Sequence, residues 1–310
     1  MTQTTIRTGA EHRDAMVVVG NAERSCEIFQ ELRESVSLVV TSPPYASAID
    51  YVAHVRAIGE DYRAAPTTSY FDEYLPMLNQ VWEQCWQLLV PGGILAINVA
   101  SVLEAGIQIP LPQDVISQLE HVTPRKWKLL RSIVWHKVTA GTSRAGVVIQ
   151  NPYPGYWHAN LMTEYVLLFR KGGKRGPTPM RKGLPAEWSD AVWDIAPMPP
   201  RLVAHPAPFP EEIPHRLIRM YTNPGDWVFD PFVGSGTTIK AAMDLGRQGC
   251  GIDRESTYVD LALERLQSAS LVRPNQLGVH AVPESEFTPA PKSIQRRHGT
   301  GLGSRRLATT

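Results

Sequence analysis

The chain has 310 residues, of which 43% are hydrophobic, 20% charged and 8% aromatic. That is enough apolar matter for one large packed domain or two small ones, and it excludes a disordered chain or a disulfide-stapled miniprotein. The net charge of +1 hides a segregation: residues 121–185 hold twelve Lys or Arg against one acid, Glu164, while the rest holds nineteen bases against twenty-nine acids.

In chain order, Met16 to Val19 reads as a short buried strand ending at Gly20-Asn21. Residues 22–34 read as a helix with Cys26, Ile28, Phe29 and Leu32 inward, and Val36 to Val40 as a strand running into Thr41-Ser42-Pro43-Pro44-Tyr45. Phe71 to Val90 carries Leu75, Leu78, Val81, Trp82, Cys85, Trp86 and Leu89 at helical spacing, a core-facing stripe. Pro91-Gly92-Gly93 then turns the chain into a strand over Ile94 to Ala100. Leu129 to His136 and Tyr165 to Phe169 are further strands. Residues 139–160 and 173–208 are rich in Pro, Gly and aromatics with little period, as insertions that carry recognition are. A helix (Ile213 to Tyr221), a strand (Trp227 to Phe229), a helix (Thr237 to Leu245), a strand (Gly249 to Ile252) and a helix (Ser256 to Leu266) follow. Residues 271–310, with Arg296, Arg297, Arg305 and Arg306, read as a mobile basic tail. The alternation predicts an α/β sheet with helices on both faces.

The apolar stretch from Leu88 to Leu103 is broken by Pro91-Gly92-Gly93 and is too short to span a bilayer. The first fifteen residues lack an apolar signal core, so a cytoplasmic protein with no membrane partner is expected. Cys26, Cys85 and Cys250 are odd in number and widely spaced, which suits reduced buried thiols and neither a disulfide frame nor a zinc site. The basic segment suits a face turned to nucleic acid, or simply a solvated surface.

Two corners carry chemistry. Asp230-Pro231-Phe232-Val233-Gly234-Ser235-Gly236-Thr237-Thr238 follows a strand and opens a helix, a turn that exposes backbone N–H groups and admits a ligand closely. It lacks the Gly-Lys-Ser/Thr ending of a phosphate-binding Walker loop and the full dinucleotide fingerprint. Asp253 ends the next strand, where an acid can accept hydrogen bonds from a ribose diol. Together they predict a nucleoside cofactor without a long phosphate chain, against the alternative of a structural turn. In the other corner, Pro43 and Pro44 stiffen the backbone and leave carbonyls bare. The Ser42 hydroxyl and Pro43 carbonyl can accept both N–H bonds of an exocyclic aromatic amine, turning its lone pair outward, while Tyr45 stacks on the base. The bland alternative is a rigid turn.

These two corners resemble the catalytic and S-adenosylmethionine motifs of the amino-group DNA methyltransferases. The proline motif comes first and the glycine motif last, which is similar to the permuted class called β. Ser at the head of the proline motif resembles the N4-cytosine branch, since N6-adenine enzymes usually carry Asp there. The similarity covers most of residues 16–268 and includes Pro91-Gly92-Gly93, Ile133-Val134-Trp135-His136-Lys137, Glu164-Tyr165-Val166-Leu167-Leu168-Phe169 and Phe209-Pro210-Glu211-Glu212-Ile213-Pro214.

The resemblance implies a Rossmann-like, doubly wound, mostly parallel seven-stranded sheet with a catalytic domain over 16–268. It makes Ser42, Pro43, Pro44 and Tyr45 catalytic. It makes Asp230, Pro231, Phe232, Gly234, Ser235, Gly236, Thr237 and Thr238 cofactor contacts, Asp253 the ribose acceptor, and Asn21 a contact near the adenine where the family often has Asp. The expected reaction is methyl transfer from S-adenosylmethionine to the N4 amine of a flipped cytosine in double-stranded DNA. The basic segment would grip phosphates, residues 139–160 and 173–208 would read bases with Tyr153, Trp157 and His158 as readers or wedges, or else as packing residues, and residues 50–70 would close over the base. None of the cysteines follows a proline, against the covalent C5-cytosine chemistry. The alternatives are an N6-adenine enzyme, an RNA methyltransferase or a catalytically dead nucleic-acid binder. The partners implied are DNA and a cognate restriction endonuclease, with the chain a monomer or homodimer.

Overall fold

The computed structural model describes residues 3–8, 13–44, 70–104, 107–123, 125, 127–138, 161–174, 184–198, 210–270 and 277–282. Its strands are β1 (Gln3–Thr8), β2 (Arg13–Val19), β3 (Val36–Thr41), β4 (Leu89–Val99), a small hairpin β5 (Val102–Glu104) and β6 (Ile107–Ile109), then β7 (Lys128–Lys137), β8 (Thr163–Arg170), β9 (Val192–Ile195), β10 (Trp227–Asp230), β11 (Gln248–Asp253) and β12 (Leu277–Val282). The helices are α1 (Ser25–Ile28), α2 (Leu75–Leu88), α3 (Leu111–Ser117), α4 (Glu212–Tyr221), α5 (Thr237–Asp244) and α6 (Ser256–Ser270).

Among the described residues ten strands form one sheet in the order β12-β1-β2-β11-β10-β3-β4-β8-β7-β9. The seven strands expected from the apolar runs are its uninterrupted middle, β2 to β7 in that order. Neighbours from β2 through β11, β10 and β3 to β4 are all parallel, and β8 alone in this middle runs against them. β3 is buried at every position, as a central parallel strand covered on both faces must be. On one face α1, α2 and α3 pack through Cys26, Ile28, Leu78, Val81, Trp82, Leu88 and Val115, with Phe29 just past α1. On the other, α4 contributes Ile213, Leu217 and Ile218, and α5 and α6 contribute Ile239, Met243, Val259, Ala262 and Leu266. This is a doubly wound α/β sheet.

Several local expectations give way to tertiary contacts. The helix expected over 22–34 is broken into α1 between two 3-10 turns, Ala22–Arg24 and Gln30–Leu32. The Cys26 amide donates to Gln84 Oε1 at 3.0 Å, and Phe29 turns in against Phe229, edge to face at 5.6 Å. The long helix ends at Leu88, and Pro91-Gly92-Gly93 lie inside β4, with a register shift in its pairing to β3. Residues 173–208, expected as an insertion, are in part scaffold: β9 extends the sheet beside β7, and Trp193 and Ile195 are buried in the core. Within the expected tail, β12 pairs antiparallel with β1. Residues 139–160 and 50–69 lie outside the described residues.

Candidate functional site at the carboxyl edge

Because β2, β11, β10, β3 and β4 are parallel, their carboxyl ends open on one edge of the sheet, where α/β folds place their ligands. β3 and β10 are neighbours there, with Phe229 paired to Val39. The two chemically loaded corners, far apart in the chain, leave the sheet side by side. Pro43 is buried, and Ser42 and Pro44 are half-buried; Tyr45 lies outside the described residues.

The glycine corner is held from several directions. Gly236 takes φ 78°, and a Cβ there would sit 3.0 Å from the Ala262 Cβ on α6. Gly251 on β11 lets Val233 close in, since a Cβ would meet Val233 Cγ2 at 2.7 Å. The Gly234 amide donates to Asp253 Oδ2 at 3.0 Å, and the Glu255 amide to Asp253 Oδ1 at 3.0 Å. Asp253, expected to hold a ribose, therefore also fastens the glycine loop. Behind the loop, Arg265 Nη1 donates to Thr237 Oγ1 at 2.9 Å and its Nη2 to Glu211 Oε2 at 3.2 Å.

Asp230 joins the corners. Its carboxylate is buried and accepts from Thr41 Oγ1 at 2.7 Å and from the Phe232 amide at 3.0 Å, both on Oδ1. The Thr238 hydroxyl lies 3.4 Å from the Val40 carbonyl oxygen. Burial pushes Asp230 up to about 6, against the pull of the hydrogen bonds from Thr41, Thr238 and Phe232. Burial also raises Asp253, opposed by the amides of Glu255 and Gly234. Among the described residues no lysine or arginine hydrogen-bonds either carboxylate. Two desolvated acids met by hydroxyls and amides make a corner that suits a small cation, as the ammonium and sulfonium of S-adenosylmethionine are.

The sequence profile of the DNA methylase family of N6 and N4 methyltransferases matches residues 36–264. The chain belongs to this DNA methylase family. It is 30% identical to the type II methyltransferase M.MjaI of Methanocaldococcus jannaschii, over 81% of this chain and 90% of that one. It is 27% identical to the type II methyltransferase M.HpaI of Haemophilus parainfluenzae, over 82% and 75%. A protein of Thermus thermophilus described as a DNA modification methylase, solved complexed with S-adenosyl-L-methionine, superposes with a TM-score of 0.61 at 31% identity, covering 86% of this chain and 96% of that one. The cytosine-N4-specific PvuII DNA methyltransferase, 19% identical, shares the fold with a TM-score of 0.61, covering 85% and 95%.

In this methylase the remaining expectations fare unevenly. Asn21 is exposed, with Oδ1 accepting from the Glu23 amide at 2.9 Å and Nδ2 donating to Glu23 Oε2 at 2.7 Å, so it caps the turn that opens α1. The described cations of the basic segment lie at both ends of the strands, most of them at the amino edge. β7 crosses the sheet from Lys128 at the amino edge to Lys137 at the carboxyl edge, so Lys128, Arg131, Arg170, Lys171 and Lys174 gather around the edge away from both corners. Lys171 pairs with Glu34, Arg125 with Glu83, and Lys137, which does reach the carboxyl edge, with Glu164. The three cysteines are free and buried, and burial raises each thiol. Among the described residues no helix is long and apolar enough to cross a membrane. Arg265 carried no sequence signal, because its bearing on the loop depends on how α6 lies against α5.

Proposed function

We propose that this DNA methylase transfers a methyl group from S-adenosylmethionine to the N4 amine of a cytosine extruded from double-stranded DNA. Membership of the family carries the chemistry as far as an exocyclic amine. The choice of cytosine rests on Ser42, where the N6-adenine branch usually has Asp. The observation that supports the site is the adjacency of β3 and β10, sealed by the Thr41–Asp230 hydrogen bond.

Bound at the glycine corner, the cofactor supplies a methyl group made electrophilic by its sulfonium. The chain's own contribution is position and charge. Asp230 and Asp253 bring negative charge to the cofactor side, while the Phe232, Val233, Gly234 and Gly236 amides donate within the fold, to Asp230, Ile252, Asp253 and Val233, and hold the turn in shape. Ser42 and the Pro43 carbonyl accept from the amine, drawing its lone pair out of conjugation, and Tyr45 holds the ring plane. Holding donor and acceptor in one geometry supplies much of the rate. The extruded base costs a few kcal/mol of stacking, offset by that pocket. The order of motifs supports the β class, residues 139–160, with the part of 173–208 outside β9, would read the DNA sequence, and a cognate endonuclease would cut the unmodified site.

The test is mass spectrometry of nucleosides from DNA treated with the chain and cofactor. N4-methylcytosine is expected, and N6-methyladenine alone would reject the target base. Ser42→Ala should slow methylation about 10- to 100-fold, the worth of one hydrogen bond in a desolvated site, with cofactor affinity unchanged.

A further inference from the structure

Thr41 heads the proline corner, yet its side chain serves the other one. It is fully buried, Asp230 is 1% exposed, and the hydroxyl's single proton goes to the carboxylate at 2.7 Å. We propose that Thr41 is a positioning residue of the cofactor site, its hydroxyl fixing the Asp230 carboxylate and so registering the proline corner against the glycine loop. The inference rests on this edge being the methyl-transfer site.

A bond across two neighbouring strands can do two things that a bond within one loop cannot. It sets the distance between the corners, because Thr41 moves with Ser42 and Asp230 moves with Phe232. It also settles the state of the acid. Asp253 on β11 disfavours a charge on Asp230, while Cys250 on β11 and Cys85 on α2 stay neutral thiols beside it. Among the described groups around the carboxylate, only Thr41, Thr238 and the Phe232 amide favour the ionised form. Taking away the Thr41 donor lifts Asp230 further above about 6, so near neutral pH more of it is protonated and unable to attract a cation.

The experiment is calorimetric titration of the full chain with S-adenosylmethionine between about pH 5.5 and about pH 8.5, the span over which a raised carboxyl titrates. In the wild type, affinity should fall on the acid side as Asp230 takes its proton, and in Asp230→Asn that limb should vanish. Thr41→Val, the same shape without the hydroxyl, should bind roughly 10-fold more weakly at neutral pH, the worth of a hydrogen bond to a charged group. Its acid limb should move to higher pH, and part of the deficit should return in alkali. Thr41→Ser should restore both affinity and limb, which a merely structural methyl contact would not predict. A Val variant with the wild-type limb, or a Ser variant as weak as Val, overturns the proposal. Should the Val variant not fold, Thr41→Cys, a weak donor, must show an intermediate limb; an unmoved one overturns it. Wild-type protein that fails to bind the cofactor at all would sink the site itself, whereas binding with a limb indifferent to residue 41 sinks only the role of Thr41.

Discussion

The two edges of the sheet treat buried charge in opposite ways. At the amino edge, Lys171 is 5% exposed, and its Nζ donates to Glu34 Oε1 at 2.9 Å and to the Leu89 carbonyl at 2.7 Å, 5.5 Å from the Trp86 ring centroid. Every demand of that ammonium is met inside the fold. At the carboxyl edge, Asp230 is buried as deeply with hydroxyl and amide donors alone, and Asp253 adds a second acid nearby. Among the described residues neither acid accepts a hydrogen bond from a lysine or arginine, so the carboxyl edge suits a cationic ligand where the amino edge supplies its own counter-charge.

The contrast breaks most severely if the glycine corner is filled. Gly236→Val puts a β-branched side chain at φ 78° with its Cβ against Ala262. Strain and overpacking together should cost about 3 kcal/mol or more, with cofactor binding lost. Calorimetry and thermal unfolding check this; a variant that still binds would show that the turn is not a contact surface.

Asp230→Asn and Lys171→Met sharpen the contrast, because they should move stability in opposite directions. Asp230 titrates at about 6 in the fold against 3.8 in the unfolded chain. Between those values the folded state holds more protons, so stability falls as pH rises through the window, and the full cost is present above about 6. Asp230→Asn removes that cost and should be more stable near pH 7 by roughly 1–3 kcal/mol, the gain fading in acid, while cofactor affinity drops. Lys171→Met strands the Leu89 carbonyl and should lose roughly 1–2 kcal/mol; Glu34 is exposed and its share is screened. Methylation per folded molecule should stay unchanged in that variant. Equal and like-signed shifts in the two would erase the distinction.

How much of this was legible follows from how local each feature is. The seven central strands announce themselves as apolar runs, and both corners are contiguous motifs. β9 is only Val192–Ile195, with alternating burial, β12 is the edge strand at the other end, and β1 beside it holds one aliphatic residue, Ile6, so none raises a clear apolar signal. α3 hides among prolines at 110 and 112. The Thr41–Asp230 bond spans 189 residues and exists only because β3 and β10 are neighbours. Net charge along the chain has the same limit: it counts residues 121–185 as one block, although β7 and β8 carry the described part of them from one edge of the sheet to the other.

That last point yields the smallest expected effect. Lys128 and Arg131 are exposed, and Lys128 stands opposite Arg170 across the β7–β8 pair, a like-charge pairing that mildly opposes the sheet. If the nucleobase enters at the carboxyl edge, duplex DNA lies over that edge and these cations face away from it. Lys128→Glu with Arg131→Glu should then change DNA affinity less than about 2-fold at fixed salt, and leave the slope of log affinity against log salt unchanged, since each lost phosphate contact would flatten it by about 0.9. Anisotropy titrations at several salt concentrations decide it. A flattening of about 2 would mean that both cations touch phosphate. The duplex would then have to reach round to the edge where the fold keeps its charges paired, and DNA contact and base entry would no longer share one edge.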